Sequence, residues 1–140
     1  MNPLKLIPAK FSGTACIAIF SLSIIFHVLV LLQIIPYSIV WGGNIQHSSD
    51  MIKLEVISIV LNGFFIVLLL SIMQVIKSSF SLSMRKWILG IMVAIFLLNT
   101  IGNLFSKQTL ETLIFTPITF LLAVFCWSLF LHQKAYPAKS

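Results

Sequence analysis

The chain has 140 residues, of which 59% are hydrophobic and 9% charged, and its mean hydropathy is +1.10. Soluble domains carry about 25% charged residues, so this balance excludes an ordinary soluble protein. The net charge of +6 does not point to nucleic acid, because the cations are segregated along the chain instead of forming a patch.

Four apolar stretches, 11–35, 54–76, 87–105 and 112–131, approach or exceed the ~20 residues that a spanning helix requires. Four spans with short connections leave no room for a second domain. The expected fold is therefore an all-α, four-helix transmembrane bundle occupying 1–140. In that arrangement Lys5, Lys10, Lys77, Arg85, Lys86, Lys134 and Lys139 fall on one side. Lys53 and Lys107 fall on the other, with Asp50, Glu55 and Glu111. The positive-inside rule then puts both termini and the 77–86 loop in the cytoplasm of a multi-pass cell-membrane protein. A cleaved signal peptide is disfavoured: the first apolar run is longer than a signal h-region, and no small-x-small site follows it.

The first stretch carries Ser12, Thr14, Ser21, Ser23, His27 and Gln33 among its apolar residues. Of these only His27 titrates, and it falls about 12 Å below the outer surface at ~1.5 Å per residue. Pro36 lacks an amide donor and disfavours helix at the residue before it, so the first helix is expected to end there. Tyr37 and Trp41 suit the headgroup zone and Gly42 with Gly43 permits a turn, which reads as an interfacial anchor or as a lid over a pocket.

The segments Ile35-Pro36-Tyr37, Ile39-Val40-Trp41-Gly42-Gly43 and Leu98-Asn99-Thr100-Ile101-Gly102-Asn103, with Phe115-Thr116-Pro117 downstream, carry a resemblance. Through them most of the chain resembles a group of small four-helix bacterial membrane proteins. The resemblance implies a bacterial membrane bundle and brings no reaction with it.

Ser49 or Asp50 is expected to cap the second helix. Glu55, Ser58 and Asn62 recur at i, i+3 and i+7 on one face, with Asn62 about 10 Å deeper than Glu55. The Lys77–Lys86 loop reads as a charged topology anchor, with Ser83 capping the third helix. That helix brings Asn99 and Asn103 together on one face, and amides in hydrocarbon are costly without partners. The fourth helix is expected over 109–131 with a bend at Pro117. Thr112, Thr116, Thr119 and Cys126 mark its bundle-facing stripe.

Cys16 and Cys126 are the only cysteines and form no Cys-x-x-Cys pair, so they read as small buried hydrophobes. No metal spacing, phosphate loop or nucleophile motif is present, and no cofactor is expected. The depths of His27, Asn62 and Asn99, with Glu55, Asn103 and Glu111 above them and Thr116 nearby, predict a polar pocket in the outer half, open to the outside, over an apolar inner plug. Intramembrane ionisable and amide groups are functional-site candidates by default. The leading expectation is a binder or transporter of a small solute or lipid. The alternatives are an accessory subunit whose polar face meets another membrane protein or a second copy, and an intramembrane lipid-modifying enzyme using His27 and Glu55 as an acid–base pair.

Overall fold

The computed structural model describes residues 7–41 and 47–135. Within them the chain is helical, without strands: α1 is Ala9–Leu31, α2 Ser48–Ile72, α3 Leu82–Leu104 and α4 Thr116–Leu131. A π-helical turn, Glu111–Phe115, leads directly into α4. Counting that turn, all four are long and apolar enough to cross a membrane. Each of the 23-residue helices α1 and α3 rises about 35 Å.

The helix ends differ from the apolar stretches for local reasons. α1 stops before Pro36 is reached, because Gln33 takes a left-handed conformation (φ 56°) and Ile34 N donates back to Leu29 O. α2 ends in the same way at Gln74 (φ 57°), with Val75 N on Leu70 O. Both are Schellman-type caps, in which the left-handed residue returns amides to the last free carbonyls. At its start α2 takes in Ser48, Ser49 and Asp50, so neither expected cap residue sits at the N-cap; His47 does, without a side-chain bond. In α3 the cap is Ser81 instead of Ser83, its hydroxyl accepting from Met84 N at 3.2 Å.

Pro117 produces a change of helical pitch. Thr116 N donates to Glu111 O, five residues back, and Thr116 Oγ1 reaches the same carbonyl at 3.2 Å. The wider turn places the missing amide of Pro117 just inside the regular helix, where an N–H is dispensable.

α2 packs on α1, α3 on α4, and α1 on α4. The α2–α3 side is bridged mainly by side chains: the rings of Phe65 and Phe96 meet edge to face at 5.6 Å, and Phe20 of α1 packs on both. The core around them includes Cys16, Leu69, Leu89, Met92, Leu122 and Cys126. Gly13 permits the close approach of α1 to α2, since a Cβ there would stand 2.2 Å from Met73 Sδ.

The end of the bundle where α1 begins and α4 finishes, called the terminal end below, holds buried polar groups, among them Arg85, which was expected in the charged 77–86 loop. Arg85 is buried and its Nη1 points at Ile72 O at 3.5 Å. Gln74 and Gln133 are buried as well. Ser12 donates to Ser128 at 3.0 Å, and Ser128 to Ile7 O at 3.2 Å. The apolar plug is thus a middle layer with a polar floor, and Arg85 is part of that floor instead of a free loop charge.

Candidate functional site

At the opposite, distal end, the α1–α2 connection folds over the bundle. Val30, Val40 and Met51 form a small second core, against which Tyr37, Trp41 and Leu110 pack. This core presents Trp41 to α2. Glu55 of α2 is fully buried; its Oε1 accepts the Trp41 indole N–H at 2.7 Å, and its Oε2 lies 2.6 Å from His27 Nδ1 of α1. The His27 side chain is only 17% exposed. With Glu55 ionised, Nδ1–H donates, and each carboxylate oxygen has a charge-assisted or indole partner. A buried carboxylate without such partners would be costly. His27 and Glu55 therefore converge, and Trp41 joins them.

Beyond Trp41 lies an open cleft of about 410 Å³, lined by Trp41, Gly102, Asn103, Ser106, Lys107 and Glu111 among others. Glu111 is mostly buried and accepts from the Ser106 hydroxyl, which in turn accepts the Gln108 amide at 3.1 Å. Thr112 Oγ1 caps the α3 end through Asn103 O at 3.3 Å and Ser106 O at 3.2 Å. The cleft thus offers an aromatic wall, an amide, an ammonium and a carboxylate.

The remaining predicted residues are dispersed. Asn62 is half-buried and donates to Ser58 O of its own helix at 2.7 Å. Thr100 and Thr119 hydroxyls meet at 3.0 Å between α3 and α4, so the threonine stripe of α4 does face the bundle there. Thr116 serves the π turn. Asn99 is exposed on the bundle's side and has no hydrogen-bond partner among the described residues. Gly42 and Gly43 lie outside the described residues. Among the described residues His27 and Glu55 form a buried pair, Asn103 and Trp41 line the cleft, and Asn99 is exposed on the bundle's flank.

Sequence reasoning placed Glu111 in the outer cluster but missed Ser106 and Lys107 beside it; the signal available was their clustering in the short α3–α4 connection, where side chains of both helix ends converge. No group of three or more potential metal ligands occurs among the described residues. The class defined by this fold is an all-helical bundle with four span-length helices. No family model, curated protein or solved structure matches the chain.

Proposed function

We propose that this chain is a multi-pass protein of a bacterial cell membrane, with both termini and the α2–α3 connection in the cytoplasm, that binds a small polar solute or lipid head group in its distal cleft. The charges support the orientation: Lys10, Lys77, Arg85, Lys86 and Lys134 belong to the terminal end, while the distal end has only Lys53 and Lys107 as cations, beside Asp50, Glu55 and Glu111. The observation that carries the binding reading is the Trp41 wall, held in place by a buried, doubly bonded Glu55. A built wall beside convergent polar groups is what a small-molecule site needs.

Binding is favoured over conduction by a single chain. Below the cleft the helices close on Phe20, Leu69, Leu89 and Met92, and those residues offer a passing polar solute no hydrogen bonds. An acid–base enzyme is less well supported, since both Glu55 oxygens are already engaged. An accessory-subunit role is the second reading, favoured by the exposed amide of Asn99, which has no partner among the described residues.

The test uses Trp41 as a reporter. Trp87 and Trp127 lie at the bundle surface, so a W87F/W127F variant leaves Trp41 as the sole indole. Its emission should shift saturably on titration with lipid head-group analogues and small amines; a flat response across those compounds overturns the cleft reading. Labelling by an impermeant maleimide should reach Gln108→Cys from outside intact cells and spare Phe80→Cys; the reverse pattern overturns the orientation.

A further inference from the structure

The contact between Phe65 and Phe96 fixes the register of α2 against α3. Because the two helices run in opposite directions, Asn62 stands one turn distal to Phe65, and Asn99 one turn distal to Phe96. Each lies three residues from its ring, on the same helix face. Both amides therefore border the α2–α3 seam just above its aromatic floor. The seam's upper end is the Trp41 wall, where Trp41 reaches from Glu55 of α2 to the cleft beside Gly102 and Asn103 of α3.

Between Glu55 and Phe65 the seam rises ten residues of helix, about 15 Å. That is half of a ~30 Å hydrocarbon core. A spanning helix of a second copy would need the full depth, but the terminal half of the seam is shut by Phe65 and Phe96 and by Arg85 reaching across to Ile72 O. One leaflet's depth fits one lipid. The hydrogen-bonding capacity is also unspent. Among the described residues Asn99 keeps both amide N–H groups, and Asn62 uses one of its two on Ser58 O. At the edge of the hydrocarbon an unpaired donor is costly, and the ester carbonyls of a phospholipid are the acceptors present there. Above them the cleft presents Lys107 and Glu111, an ammonium and a carboxylate matched to a zwitterionic head.

We propose that the α2–α3 seam binds one diacyl phospholipid of the outer leaflet with an amine–phosphate head group. Asn99 and Asn62 hydrogen-bond its ester carbonyls, and its head group occupies the Trp41–Lys107–Glu111 cleft. This rests on the cleft reading above and adds a lateral entry from the membrane.

The experiment is native mass spectrometry of the full chain released from phosphatidylethanolamine nanodiscs, for the wild type, Asn99→Leu, Asn62→Leu and, as a control in the closed half, Val67→Ala. The wild type and Val67→Ala should retain one phospholipid per chain, and each asparagine variant should lose at least tenfold of that retention while keeping its thermal unfolding midpoint. Equal retention in all four overturns the seam. So does a wild-type dimer that Asn99→Leu converts to monomer, because a second copy then fills the seam. Glycerophosphoethanolamine titrated against the Trp41 reporter separates the two readings. A response to it, together with unchanged lipid retention in the asparagine variants, leaves the cleft standing and removes the seam; no response and no retained lipid removes both.

Discussion

Trp41 and Glu55 are joined across the α1–α2 connection by a 2.7 Å hydrogen bond from the indole N–H to Oε1 of a carboxylate that is wholly buried. The loop over the distal end is thereby tied to the helix beneath it, and the wall of the cleft is fixed by the same bond.

Replacing Trp41 with phenylalanine keeps an aromatic ring and removes the donor. A hydrogen bond to a charged group contributes about 1.5–3 kcal/mol, so Trp41→Phe should lower the thermal midpoint and raise amide exchange across 37–41. Unchanged exchange in that segment would mean that the ring alone holds the loop.

The His27–Glu55 pair can be dissected by a double-mutant cycle. Removing either partner leaves the other buried without its match, a loss of about 3–5 kcal/mol. His27→Leu and Glu55→Leu should each be strongly destabilising, and the double variant should be less damaged than the two losses added together. Simple additivity of the unfolding free energies would show that the pair is not coupled.

Gly13→Ala should destabilise the bundle by about 1–3 kcal/mol, because its new methyl meets Met73 Sδ at 2.2 Å. Met73 is flexible and caps the end of α2, so Met73→Ala in the same chain should recover part of the loss. Thermal unfolding of the two single variants and the double variant measures it.

Cys16 and Cys126 are both fully buried in the core. A maleimide should leave them unmodified in the folded protein for as long as a cysteine placed at position 108 takes to label completely, and should modify them on unfolding. Rapid labelling of the native chain would contradict this packing.

The existence of four helices was legible because hydropathy is a one-dimensional property: length and apolar content suffice. Position along each helix axis was legible too, since a residue count converts directly to rise. What could not be read was the rotation of each helix about its own axis. Glu55, His27 and Asn99 all have countable positions, yet only contacts between helices decide that the first two face each other while the third turns to the flank. Trp41 was read as an interfacial anchor or lid because aromatic residues favour that zone whether or not they are bonded. Arg85 was placed in the charged 77–86 loop; it is instead buried, with its Nη1 toward the Ile72 carbonyl at the end of α2.

Trp41 also has a φ of 56°, a left-handed conformation that is a genuine outlier for so bulky a side chain. Holding one residue there costs of order 1–3 kcal/mol, and the conformation persists only where surroundings enforce it. Among the described contacts, the bond to Glu55 and the packing against Val40 and Met51 supply that enforcement. The shape of the cleft wall is therefore set from outside the cleft: Glu55, which is not among the lining residues, holds through one hydrogen bond the conformation in which the indole stands there.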